Sequence, residues 1–265
     1  MADCVPIFLY HSVDTKCADA YRRWLVLPEE FDRHMKYLSD NDYRAVTVSA
    51  LVSLLKNGKT LPPRTVAITF DDGLQDFLTG AVPILQRYNF LATLYVVSGC
   101  VGQSSRWLGP MGEGARPMLS WQDLRDISSA GFELGAHSIS HPQLDVLPPA
   151  IASAEIRGSK SALEDHLGRR LESFAYPHGY SSRTTRRLVR EAGFSSACRV
   201  RHALASAAED HYVLSRIIMT SSIGIGELQT LLGDSSLPVA PPADRLFATG
   251  WRMVRRFRYL AQARR

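Results

Sequence analysis

Residues 65–73 read Thr-Val-Ala-Ile-Thr-Phe-Asp-Asp-Gly. The first six are apolar or β-branched and predict a buried strand. Asp71-Asp72-Gly73 then breaks it in a turn. Working outward, the same alternation recurs. Strands are expected at 5–10, 43–48, 91–97, 132–136, 173–176, 194–198 and 213–218. Helical spacing is read at 29–39, 50–56, 81–88, 148–167, 182–192 and 225–232. Ser49 is the expected cap of 50–56, and Asn57-Gly58 its stop. Ser120-Trp-Gln-Asp123 fits a capping box for a helix that stops at Gly131. A β-α order repeated about seven times favours a parallel sheet or barrel over separate α and β halves.

In such folds the C-terminal ends of the strands face the active site, and four strands here end on reactive side chains. Asp71 and Asp72 follow 65–70; one carboxylate can bind a metal while the other serves as base. An isolated Asp-Asp-Gly is more often an ordinary turn with solvated acids. His137-Ser-Ile-Ser-His141 follows 132–136, and histidines four apart can converge on one ion if the segment makes a turn. Pro142 argues against a continuing helix. Asp72, His137 and His141 offer one oxygen and two nitrogens, with a position left for water, as catalytic zinc requires. Tyr176-Pro177-His178-Gly179 follows a third strand and shapes a loop whose N–H groups can face a ligand. Tyr10-His11 ends a fourth; a lone histidine there is more often structural.

Together these stretches resemble the polysaccharide deacetylase family, the NodB-homology domain of carbohydrate esterases. Thr69-Phe-Asp-Asp-Gly73 matches its first motif, His137-Ser-x-x-His141 its second, and Tyr176-Pro-x-Gly179 part of its third. The similarity spans about residues 5–220, including Met118-Leu-Ser-Trp-Gln-Asp-Leu124. Phe174-Ala175 stands where that motif usually has an arginine. Arg216, on a late strand, is a candidate substitute. The family's late Leu-x-His has no match after residue 180, but Leu9-Tyr10-His11 has that pattern. This resembles the circularly permuted branch, similar to deacetylases of poly-N-acetylglucosamine.

The resemblance implies a distorted (β/α)7 barrel over residues 1–234 that removes N- or O-acetyl groups from a glycan, oligosaccharide or lipid-linked amino sugar. It implies Asp72, His137 and His141 as ligands of a divalent metal, zinc being the expected ion, with Asp71 as base and His11 as general acid. Tyr176, Pro177, His178 and Gly179 would bind substrate and the oxyanion. Trp107, in the glycine-rich stretch 99–117, is a candidate for the substrate groove. A binding protein of the same fold without turnover is the alternative; the intact Asp71, Asp72, His137 and His141 argue against it.

The chain has 265 residues and a formal charge of +5. Seven arginines and no acid lie in 245–265, so residues 1–244 hold 24 basic and 26 acidic side chains, a net of −2. A weakly acidic body is a poor binder of phosphate backbones, so no nucleic-acid partner is expected. Met1-Ala-Asp-Cys-Val-Pro6 has no basic n-region and is not read as a secretory signal. The four cysteines form no CxxC pair and are expected as reduced thiols. Both points suggest a cytoplasmic setting. Residues 235–244, with three prolines, read as a linker. In 245–265, apolar residues recur at helical spacing between arginines. Two readings stay open: a basic amphipathic helix lying on an anionic membrane at the inner surface, or an end packed on the barrel. Vesicle flotation separates them. Membrane contact predicts that the full chain floats with anionic vesicles and a 1–244 truncation does not; equal behaviour excludes it.

Overall fold

A computed structural model describes residues 4–56, 61–233, 237–240 and 255–256. Eight strands run parallel in one curled sheet; Arg44–Val46, within the expected strand 43–48, pairs with Thr65–Ala67 beside the main path, and the seven along that path are β1 (Ile7–Tyr10), β2 (Thr65–Phe70), β3 (Thr93–Val96), β4 (Glu133–Ala136), β5 (Ser173–Ala175), β6 (Ser196–Cys198) and β7 (Ile217–Ile218). Their spatial order is β6-β5-β4-β3-β2-β1-β7. The chain leading into β7 also bridges the opposite edge, where Leu214 pairs with Cys198. The expected strand 213–218 is thus divided between two neighbours, which bends the sheet into the distorted half-barrel. The expected strand 5–10 is split too, because Pro6 has no N–H for a ladder. Cys4–Val5 instead pairs antiparallel with Ala205–Ser206.

Alternate residues of each strand face opposite ways. Phe8, Tyr10, Ile68, Phe70, Leu94, Val96, Leu134 and Phe174 join the large core under the outer helices. Those helices are α1 (Pro28–Asp40), α3 (Val82–Arg87), α4 (Trp121–Ser129), α5 (Pro149–Leu167), α6 (Arg183–Glu191) and α7 (Ile225–Leu232). Ile7, Ala67, Tyr95, Ala175, Cys198 and Leu214 form a second cluster on the inner face. Ala67, Ala175 and Cys198 leave room there for the Tyr95 ring.

Two expected caps differ in outcome. Ser120 accepts from the Asp123 N–H, and the Asp123 carboxylate accepts from the Ser120 N–H, so the capping box forms. At α2 (Val48–Lys56) the helix begins before Ser49, and Thr47 Oγ1 accepts from the Ala50 N–H instead. Tertiary contacts set that start. The Val48 and Ser49 N–H groups donate to Thr93 Oγ1 and the Glu133 carboxylate, both at the N-terminal ends of barrel strands. α2 therefore lies across the bottom of the sheet, opposite the active-site face, with Leu51 and Val52 in the inner cluster. The Asn57-Gly58 stop lies outside the described residues. Within the expected linker, Val239 bridges Leu204 and Ala240 is buried. No disulfide is present among the described residues, and no described helix is long and apolar enough to cross a membrane.

Gly135 of β4 measures how tightly the interior is filled. A Cβ there would lie 2.5 Å from the Tyr95 ring and 2.9 Å from the Ser173 carbonyl oxygen. Gly135→Ala should cost about 1–3 kcal/mol of stability by overpacking. Urea unfolding of the variant measures it, and an unchanged midpoint would show that the ring moves freely.

Candidate active site

All parallel strands release their C-terminal ends on one side, around a cavity of about 280 Å³. Asp71 and Asp72 leave β2, His11 leaves β1, and His137 leaves β4. Asp72, His137 and His141 each present one donor atom, all within 4.8 Å of one another. Asp72 Oδ1 stands 3.4 Å from His141 Nε2 and 3.8 Å from His137 Nε2.

The local backbone is forced into this shape. Asp72, Ser138, His141 and His178 all have positive φ, between 59° and 79°. Non-glycine residues there cost roughly 1–3 kcal/mol each and are held only by surrounding structure. The holding groups are visible. The His141 N–H donates to Ser138 Oγ, closing the turn. Glu155 of α5 accepts from the Ile139 and Ser140 N–H groups and from the Ser140 hydroxyl. His137 Nδ1 donates to the Ala175 carbonyl at 2.8 Å, which leaves Nε2 facing Asp72.

Arg216 reaches the site from the start of β7. Its two terminal nitrogens donate to the two oxygens of Asp71 at 2.6 and 2.7 Å, and one also reaches Thr69 Oγ1. Arg216 is 0% exposed. The guanidinium missing from the third motif is thus supplied by another strand.

The electrostatics separate the two aspartates. Burial would raise Asp71, but the Arg216 charge, His137 and the Arg216 hydrogen bonds together hold it below its ordinary value. Asp72 has no such partner. Burial, with the charges of Asp71 and Asp76 beside it, pushes it well above the usual range. Burial likewise lowers His137 and drives His141 well below its ordinary value, with His137 and His178 adding to the latter. Asp72 Oδ1 is buried with no hydrogen-bond partner among the described residues. A carboxylate oxygen in want of a cation, facing neutral imidazole nitrogens, is the donor set that a divalent metal completes.

Other sequence candidates fall as follows. His11 lines the cavity, packed on Trp24 with ring centroids 4.9 Å apart. Burial lowers it to about 4, although the Asp71 carboxylate raises it. Trp107 lines the cavity and stacks on His141 at 5.2 Å. His178 and Gly179 line it as well. Tyr176 and Pro177 do not, which corrects their assignment to the substrate surface. Strand alternation turns the Tyr176 ring into the outer core, and its hydroxyl donates to the Tyr212 carbonyl. Sequence reading passed over Tyr21, Trp24, Gln143 and Tyr180 on the cavity wall. The available signal for the first two was the Tyr21-Arg-Arg-Trp24 pair in the segment after His11. Glu155 had none, since a glutamate on an amphipathic helix looks solvated.

The fold and site define an α/β barrel of hydrolase type, with a carboxylate–bis-histidine cluster beside an arginine-held aspartate. The polysaccharide deacetylase family model matches residues 58–197. This chain belongs to that family. YxkH of Bacillus subtilis (strain 168), which carries the family's name, is 26% identical over 213 residues, 80% of this chain and 70% of that one. A poly-β-1,6-N-acetyl-D-glucosamine N-deacetylase of Staphylococcus aureus is 22% identical over 208 residues, 75% of this chain and 69% of its own length. Among solved structures, the Streptococcus pyogenes deacetylase PplD in complex with acetate superposes with a TM-score of 0.77. It is 25% identical, with 88% of this chain and 100% of that one covered. The fold also matches IcaB from Ammonifex degensii, with a TM-score of 0.70, 23% identity, and 82% and 92% coverage.

The Arg216–Asp71 pair carries a pH signature. Asp71's ordinary value is 3.8 and its folded value is lower, so the pair stabilises the fold above about pH 4. That contribution is lost as pH falls through the folded value. Arg216→Met leaves Asp71 buried without a counter-charge, so its carboxyl rises. Stability at pH 7 should fall by about 3–5 kcal/mol. The loss should shrink at pH 5, where the variant's Asp71 takes up a proton. Urea unfolding at both pH values checks this; an equal loss at each would contradict the sign.

Proposed function

We propose that this protein removes acetyl groups, chiefly N-acetyl, from an amino-sugar-containing glycan, oligosaccharide or lipid-linked sugar in a metal-dependent hydrolysis. The observation that supports this most is the joint placement of Asp71 and the Asp72–His137–His141 cluster at the base of one cavity, with Arg216 holding Asp71 ionised. Aromatic side chains on its walls, Trp24 and Trp107, offer the apolar faces on which a sugar ring packs.

Asp72, His137 and His141 would hold the metal, with zinc the ion this donor set suits. When bound, it supplies Lewis acidity to the acyl carbonyl and acidity to the attacking water. Asp71 takes the water's proton as the C–O bond forms; its low pKa makes it a base that releases the proton readily. In the loop after β5, the Gly179 and Tyr180 N–H groups are spent on the Tyr176 and Pro177 carbonyls. The His178 N–H is therefore assigned to the oxyanion. His11 rests neutral, so the proton it gives to the leaving nitrogen is the one Asp71 collected. Asp71 and His11 act as a relay, and the balance closes: water's proton ends on the amine as the C–N bond breaks.

The proposed setting is the cytoplasmic side of a membrane, where the basic tail meets anionic lipid. Arg255 is buried against the barrel, so the lipid contact falls to the other tail arginines.

Two sets of variants test the reading. Metal quantification should show a stoichiometric divalent ion in wild type, lost in Asp72→Ala and His137→Ala but kept in Asp71→Asn, with turnover on acetylated glucosamine oligomers lost in all three. A metal-free wild type, under metal-replete conditions, would overturn the site. His11→Ala should lose about 10²–10⁴-fold on an amide, whose leaving nitrogen needs a proton, and far less on an activated acetate ester. Equal losses on both would remove His11 from the relay.

A further inference from the structure

Arg255 lies far outside the family-matched stretch 58–197, yet its side chain is buried at the rim of the catalytic cavity. Its Nη1 and Nη2 donate to the two oxygens of Asp145 at 2.8 and 2.6 Å, and Nη1 also donates to Gln143 Oε1 at 3.2 Å. The face of the guanidinium lies 3.6 Å from the centre of the Tyr180 ring. The Asp145 side chain is 1% exposed, so the pair is withdrawn from water on both sides.

These partners belong to two different active-site loops. Asp145 sits four residues past the metal-site candidate His141, across Pro142 and Gln143. Tyr180 sits two residues past His178, and its ring stacks on the His178 ring at 6.3 Å and 23°. The His178 ring in turn lies 4.6 Å from that of His141. Both loops are strained where it matters, because His141 and His178 hold positive φ. Glu155 and Ser138 brace the first turn at 138–141. The stretch after Pro142 and the loop of His178 are joined across the cavity rim by Arg255. Arginine suits this position and lysine does not. Only a planar fork can bind a carboxylate bidentately while laying its face on an aromatic ring.

We propose that Arg255 is a positioning residue: from the C-terminal segment it ties the His141 loop to the His178 loop, and so fixes a metal ligand relative to the oxyanion donor. The consequence for metal affinity rests on the proposed function; the tie between the loops does not. The test uses the full chain, with Arg255→Ala, Arg255→Lys and Asp145→Asn. Amide hydrogen exchange should accelerate in 142–147 and 177–181 in all three variants, while β2 and β3 keep their protection. Zinc affinity, read by chelator competition, should weaken about tenfold, the scale for loss of a group that orients a ligand. Arg255→Lys should recover little, and Arg255→Ala with Asp145→Asn should cost no more than either alone. Unchanged exchange in both loops would overturn the tie. Protection lost evenly across the barrel would overturn it too, by making Arg255 a general stability residue. Faster exchange with unaltered zinc affinity would overturn its role at the site. Faster exchange in a protein whose wild type takes no zinc would leave the tie standing and sink the metal reading.

Discussion

The structure turns on a bidentate ion pair sealed inside the barrel. Arg216 is wholly buried and Asp71 shows only its cavity edge, so each is tolerable only because of the other. The pair does two things at once. It joins β2 to β7 across β1, and it sets the charge of the aspartate next to the Asp72–His137–His141 cluster. Asp71 and Asp72 are adjacent in sequence and equally buried, yet only one of them has a cation. That asymmetry divides the labour. The partnered carboxylate stays ionised, while its neighbour is left energetically unsatisfied and open to a metal ion.

The second constraint is conformational. A histidine pair four residues apart is easily placed on one helix face, but Pro142 prevents a helix from continuing here. The chain instead makes a tight turn with two residues at positive φ, and Glu155 collects the N–H groups that the turn leaves over. The site is thus built from loops held by distant helices. Its precision depends on buried polar groups that lie well outside the reacting centre. Arg116 repeats the pattern on the other wall: it binds Asp76, Asp14 and Ser12 and covers the ring of Tyr21. This ties the segment carrying Tyr21 and Trp24 against the barrel. Aromatics of the cavity wall are positioned by an ionic network that lies behind them.

Much of this was legible in the chain. The unbroken apolar character of 65–70, the capping box at Ser120 and the repeated β-α order predict a parallel barrel, because burial and backbone satisfaction are local demands that residue order expresses directly. The metal-site trio was legible for a related reason: strand ends in a parallel barrel converge, so separation along the sequence does not matter. The start of α2 was not, since Thr93 and Glu133 draw it back to Val48 from other strands. Nor was the turn of the Tyr176 ring into the outer core, which follows from strand phase and not from its motif. Arg255 reads as one arginine among seven in a basic tail until its partners are known.

By itself, then, the sequence determined the class of barrel and the residue types at its mouth, because hydrophobic periodicity and short motifs are encoded within a few residues of each other. Tertiary structure alone decided which guanidinium meets Asp71, which loop N–H groups remain free, and where Arg255 is spent. Those choices depend on distances between segments that are tens to more than a hundred residues apart, and a buried charge reveals its role only through the partner that makes its burial affordable.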